Sequence, residues 1–194
     1  GQAVGDDHRG RRAQRARRAK GAPVIKTMGE LTEAFTAILP FKLTGAQARV
    51  LKEIPDCRGV IVGGKHHLEP DYADWLAEKV QALGVSEQVR MVGVQRNVPE
   101  WMQAMDVVVH ASEREPFGIV VVEAMALGKP VVATRPGGPE EIITHDSDGQ
   151  LVTWNKPDEL AEAILKYLRE PEWARSVGQR AKQRSGEYSM EKYA

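Results

Sequence analysis

Short apolar runs rich in β-branched residues alternate along this chain with stretches in which apolar residues return every three or four positions. The runs at 59–62 (GVIV), 88–93 (QVRMVG), 106–112 (DVVVHAS) and 130–134 (PVVAT), with a short one at 149–153, lack the polar alternation of half-exposed strands. They read as strands buried on both faces of a parallel sheet. Between them, Tyr72, Leu76, Val80 and Leu83 keep a helical period that Gly84 closes, and a short helix after Pro99 carries Trp101 and Met105 as core contacts. A helix opening near Phe117 places Ile119, Val122, Glu123 and Ala126 at helical spacing until Gly128 stops it and Pro130 starts the next strand. Residues 157–169 and 171–184 read as two closing helices, each opening on a proline. Upstream, residues 23–27 are expected to form a first strand and 28–39 the helix after it. The resulting class is α/β: a Rossmann-like parallel sheet with helices on both faces, spanning residues 22–194.

Composition is compatible with that core. With 194 residues of which 42% are hydrophobic, the chain can bury roughly 70% of its unfolded surface without a metal or disulfide staple. Its single cysteine, Cys57, excludes a disulfide within the chain and favours a reducing compartment. No apolar run approaches the roughly 18 residues that cross a bilayer and no apolar signal core opens the chain, so a soluble, cytoplasmic protein is expected. Charge balances overall at 27 basic against 27 acidic residues but is unevenly spread. Residues 1–22 hold seven Arg or Lys and two Asp (+5), leaving 20 against 25 (−5) in the remainder. The basic stretch, residues 1–21, carries no aromatic for base stacking and almost no apolar face. It reads as a solvated tail, with nucleic-acid or membrane contact the less favoured alternative.

Candidate chemistry concentrates in residues 112–143, SEREPFGIVVVEAMALGKPVVATRPGGPEEII, where Glu115 and Glu123 flank a Pro-Phe-Gly turn between a strand and a helix. In open parallel sheets ligands bind at the carboxyl ends of the strands, and a helix starting there offers free N–H groups to an anion. Counted from Phe117, Glu123 lies about 9 Å along the helix at roughly 1.5 Å per residue. That is the scale of a nucleotide, with one carboxylate on each side of a bound phosphate to accept from hydroxyls. Alternatively, Glu115 complements the helix dipole and Glu123 sits on a solvated face. The paired His66 and His67 have no third ligand at metal spacing and read as loop residues.

The two glutamates separated by seven residues resemble the donor-site signature of family 4 retaining glycosyltransferases. The likeness extends over residues 55–194: PDCRGVIVGG resembles that family's second strand, VSEQVRMVGVQRNVPEWMQAMDVVVHAS the elements before the signature, and GKPVVATRPGGPEEII the strand and glycine loop after it. The resemblance implies a single half-domain of the GT-B fold, using a nucleotide-diphosphate sugar such as a UDP- or GDP-hexose as donor substrate, with no further cofactor and no metal. It implies that Glu123 holds the ribose, that Glu115 contacts the transferred sugar, and that the backbone of Phe117, Gly118 and Ile119 meets the diphosphate and sugar. Gly63 and Gly64 would turn near the donor, Val94 and Gln95 would border the base, and Gly137 and Gly138 would lie beside the donor sugar. Glycines after strands are equally explained as turn residues.

The first 54 residues depart from that pattern. No recognisable first strand with a basic, diphosphate-neutralising loop stands there, although Lys26 could take one such place. Residues 21–54 instead resemble a stretch of RecG-type DNA helicases in which LPF, LT, AQ and a helix precede the nucleotide-binding strand. GVIVGGKHH lacks the phosphate loop that would follow in a helicase, so ATP-driven unwinding is not expected. Two classes stay open: the donor-binding half of a hexosyl-transferring enzyme, not competent for transfer alone, or a natural or engineered chimeric module without retained activity. The closing helices of that family pack against its other domain, so an orphaned apolar face is expected, through which two copies could pair.

Overall fold

A computed structural model of the chain describes residues 34–38, 45–63, 72–113 and 115–188. Its frame is six parallel strands: β1 (Ala34–Ile38), β2 (Arg58–Val62), β3 (Val89–Gly93), β4 (Val107–His110), β5 (Val131–Arg135) and β6 (Gln150–Thr153). They lie in the order β3-β2-β1-β4-β5-β6. Seven helices connect and close it among the described residues: α1 (Gly45–Glu53), α2 (Tyr72–Ala82), α3 (Val98–Ala104), α4 (Ile119–Ala126), α5 (Gly138–Ile142), α6 (Pro157–Arg169) and α7 (Pro171–Ser185). This is the doubly wound, Rossmann-like arrangement.

Side chains of successive strand residues point to opposite faces, and here both faces are buried. Val107, Val109, Ile61 and Val132 enter a core with Val50 and Leu51 of α1, Leu76 and Val80 of α2, and Leu160, Ile164 and Leu165 of α6. Val108, Val60, Val62, Val131 and Ala133 enter the opposite core with Trp101 and Met102 of α3, Val121 and Met125 of α4, and Ala181 of α7. An unbroken apolar run over Val107–Val109 is the consequence, since each of the three must suit one core or the other. Trp101 and Met105 fill core positions as their spacing suggested, and Gly84 ends its helix in the left-handed region at φ 71°.

The beginning of the sheet corrects the sequence reading. Residues 34–38 form a central strand, not the second half of a helix over 28–39; residues 23–27 lie outside the described part. Ala34–Ile38 pairs in parallel with β2 on one side and β4 on the other, Thr36 opposite both Val60 and Val108. Two flanking ladders fix as a strand a segment whose Phe35, Thr36 and Ile38 suit strands. A first strand therefore does precede β2, formed by residues that the sequence reading assigns to a helix.

The closing helices also differ from expectation. α6 and α7 bury their apolar faces within this domain, Leu160, Ile164, Leu165 and Leu168 on one and Ala174, Val177 and Ala181 on the other. The exposed large hydrophobics among the described residues lie elsewhere: Val94 (76%), Phe117 (76%), Ile119 (66%) and Trp154 (38%). All four follow the carboxyl ends of strands β3, β4 and β6. No helix among the described residues is long and apolar enough to cross a membrane.

α7 crosses α4 closely enough that a Cβ on Gly178 would overlap the Gly128 carbonyl oxygen and stand 3.1 Å from its carbon. Backbone cannot yield as a flexible side-chain end does. Gly178→Ala should therefore cost about 1–3 kcal/mol in urea unfolding despite alanine's better helix propensity. Gly186→Ala, where nothing lies within 4 Å, should change stability by less than about 0.5 kcal/mol.

Candidate functional site

Strand order reverses between β1 and β4, so the chain leaves these two neighbours in opposite directions and opens a crevice at their carboxyl ends. The loop leaving β4 carries Glu115 into that crevice. Its Oε1 accepts from the backbone N–H of Gly118 at 2.9 Å and of Phe117 at 3.2 Å, and its Oε2 lies 3.3 Å from Nε2 of His110. The carboxylate is thus fixed at the mouth of α4, whose first N–H groups have no acceptor within the helix. Partial burial works to raise the Glu115 pKa, but the amides of Gly118 and Phe117 and the nearby His110 together outweigh it and hold the group below the usual carboxylate value. Burial pushes His110 down from the ordinary imidazole value, opposed by the Glu115 charge, and the ring is neutral at pH 7.

Helix α4 begins at Ile119, not near Phe117. Gly118 sits at φ 79°, a left-handed conformation that ends helical geometry one residue before Ile119. Glu123 is consequently about 6 Å along the axis from the helix start, less than the 9 Å counted from Phe117. Its side chain is exposed, with no hydrogen bond or ion pair from another described residue.

A second loop braces the first. Gly137 forms a parallel bridge with Glu115, and Gly138 N–H donates to the Glu115 carbonyl at 2.7 Å. A Cβ on Gly137 would overlap that carbonyl oxygen, and one on Gly138 would overlap the backbone of Phe117. These glycines therefore permit a backbone-to-backbone contact; Gly138 is itself buried. Thr134 on β5 donates to the Ser112 carbonyl at 2.6 Å, fixing the stem of the Glu115 loop.

The remaining residues singled out from the sequence spread along the same edge. Gly63 ends β2 at φ 147°, its N–H donating to the Gly93 carbonyl at 2.9 Å, which ties the ends of β2 and β3. Val94 is exposed just beyond β3. The Gln95 side chain is turned inward, donating to the Val92 carbonyl at 2.6 Å and accepting from Trp101 Nε1 at 3.3 Å, so its amide shapes the loop. With three inter-strand spacings between β3 and β4, Val94 lies roughly 14 Å across the sheet from the β4 exit. Gly64, Lys26 and the paired histidines lie outside the described residues, and no group of three or more metal-ligating side chains occurs among those described.

Sequence reading missed His110 and Thr134. A histidine closing an otherwise apolar strand was the signal available for the first, which the fold buries wholly; a β-branched residue inside a strand gives none for the second. An open groove between β6 and α6, lined by His145, Asp146, Gln150, Glu162 and Lys166, lies away from the reversal point. Its charges are engaged with neighbours, Lys166 with Asp146 at 3.0 Å and Glu162 with Arg49.

A family model described as glycosyl transferases group 1 matches residues 31–184. A D-inositol 3-phosphate glycosyltransferase of Corynebacterium urealyticum is 33% identical over 191 residues, 95% of this chain and 45% of that protein. An N-acetyl-alpha-D-glucosaminyl L-malate synthase of Bacillus anthracis is 33% identical over 138 residues, 71% of this chain and 35% of that protein. The chain thus spans less than half the length of these curated relatives. Among solved structures, Anabaena HepE in complex with UDP-glucose superposes with a TM-score of 0.76 at 28% identity, covering 90% of this chain and 47% of that one. The C-terminal domain of a glycosyl transferase group 1 family protein, LpcC of Francisella tularensis, gives 0.71 at 26% identity, covering 85% of this chain and 89% of that one.

The paired shifts of His110 and Glu115 set an acid limit on stability. Because His110 is depressed in the fold, the unfolded chain takes up a proton first as pH falls through about 6.5, so this contribution is complete above that value and lost below it. Glu115, also depressed, adds a further loss as pH falls below about 4.5 through its folded value. Thermal unfolding midpoints should hold between pH 8 and 7 and drop by pH 5.5, and His110→Gln should flatten that drop. An equal drop in the variant would assign it to other groups.

Proposed function

The chain belongs to the glycosyl transferases group 1 family, and on that premise we propose that the carboxyl edge of its sheet is the donor site of a retaining glycosyltransferase, taking a UDP- or GDP-hexose. The observation that carries this reading is the Glu115 loop: a carboxylate clamped at the mouth of a helix, beside the strand-order reversal, with exposed Glu123 one turn along the same helix. The Anabaena HepE structures, solved with UDP and with UDP-glucose, support the ligand class.

In this reading the nucleotide lies along the sheet edge. The base meets the loop after β3 near exposed Val94, the ribose hydroxyls donate to Glu123, the diphosphate faces the first N–H groups of α4, and the hexose lies against Glu115 between the loops after β4 and β5. Oxygen acceptors and backbone donors then match the ligand's hydroxyls and phosphates in turn.

Transfer would break the bond between the hexose anomeric carbon and the diphosphate oxygen, whose electron pair leaves with the diphosphate. The positive end of α4 stabilises that developing charge. An acceptor hydroxyl bonds the anomeric carbon from the same face and gives up its proton to an oxygen of the departing diphosphate. Glu115, held by two amides, orients the sugar and is not placed as a nucleophile. Positioning an acceptor and excluding water require surface beyond this half-length chain, so donor binding with little transfer is the expected behaviour of the chain on its own.

Calorimetric titration with UDP, GDP and their hexose conjugates tests the site. Glu123→Ala should weaken nucleotide binding by about 1.5–3 kcal/mol, roughly tenfold to a hundredfold, through loss of hydroxyl bonds to a charged carboxylate. An unchanged dissociation constant would remove Glu123 from the site.

A further inference from the structure

His110 ends β4 with its ring wholly buried, and its Nε2 lies 3.3 Å from Glu115 Oε2, within ion-pair reach but outside hydrogen-bond alignment. The other carboxylate oxygen is already engaged by Phe117 and Gly118 N–H. Two amides on one oxygen fix where the carboxylate sits but leave its plane free to turn about that anchor; a donor on the second oxygen stops the turn. His110 cannot itself reach a ligand, because no part of it meets solvent. Its backbone is held as well, in register with Ala133 on β5.

Resting on the donor-site reading above, we propose that His110 is a positioning residue: its neutral ring donates Nε2–H to Glu115 and so sets the carboxylate plane that meets the hydroxyls of the donor hexose. The role is specific to the sugar. The nucleoside and diphosphate lie against other groups, so disturbing His110 should leave nucleotide affinity intact and weaken only the added recognition of the hexose. A role confined to folding would not divide the ligand this way.

The test compares UDP with UDP-glucose on the wild-type chain, His110→Leu and His110→Gln, with the GDP pair as substitute if GDP is the base bound. Leu removes the donor while keeping an apolar filler; Gln keeps an N–H donor near the position of Nε2. His110→Leu should weaken UDP-glucose about tenfold relative to UDP, and His110→Gln should restore the wild-type ratio to within about threefold. A ratio unchanged in His110→Leu, or equally lost in both variants, overturns the proposal.

Should the Leu variant not fold, imidazole 15N NMR of the otherwise intact chain decides. The proposal requires the neutral Nε2–H tautomer, with a signal that moves in Glu115→Gln; an Nδ1–H tautomer, or a spectrum indifferent to that substitution, refutes it. Wild-type chain that binds neither nucleotide nor nucleotide-sugar refutes the donor-site reading instead, and the imidazole spectrum still decides whether His110 holds Glu115.

Discussion

The site depends on one backbone-to-backbone contact, in which the loop after β4 lies directly on the loop after β5. Gly138 N–H meets the Glu115 carbonyl, Gly137 bridges the same residue, and neither glycine could carry a Cβ without overlapping the facing chain. This contact fixes the backbone of Glu115, and Glu115 in turn fixes the start of α4 by accepting from Phe117 and Gly118. Support extends outward from there: Arg184 on α7 donates to the Ile142 carbonyl at the end of α5, and Tyr188 donates to the Glu141 carbonyl at 2.9 Å. The last helix thus braces the short helix that carries the glycine loop. A change far from the carboxyl edge can therefore reach Glu115 through packed backbone.

The sheet explains why this contact sits where it does. Its two cores are filled by alternate residues of the same strands, so side chains within the strands are committed to packing and the loops at the strand ends are left free for other contacts. The exposed Val94, Phe117 and Ile119 stand on that edge and not on the helical flanks. Apolar groups left open at a carboxyl edge suit a surface covered by a ligand or by further protein. α6 and α7, by contrast, are satisfied within the domain.

Much of this was legible in the residues. The unbroken VVV of β4 needs two apolar faces, and the Pro-Phe-Gly turn followed by a 3.6-residue period announces a helix at the strand's end. β1 was not legible, because Ala34–Ile38 is a strand through its ladders to β2 and β4, and those partners lie more than 20 residues away. The helix start was displaced because Gly118 takes a left-handed conformation at φ 79°, and Ile142 Cδ1, 2.9 Å from where a Cβ would be, leaves room only for glycine there. Glu115 could be recognised as a carboxylate near a helix start; that one of its oxygens is held by two amides and the other lies 3.3 Å from a buried imidazole follows only from the fold. Gly137 and Gly138 looked equally like turn residues and ligand neighbours, and the tertiary contact makes them the support of the Glu115 loop.

The claim that the carboxyl edge around Glu115 is the ligand surface is tested most directly by amide NMR, titrating the 15N-labelled chain with UDP-glucose. The expected result is saturable movement of the Gly63, Val94, Phe117, Gly118, Ile119 and Gly137 amides, with the β6–α6 groove unmoved. Movement confined to His145, Gln150 and Lys166 in that groove, with the Glu115 loop silent, would contradict it.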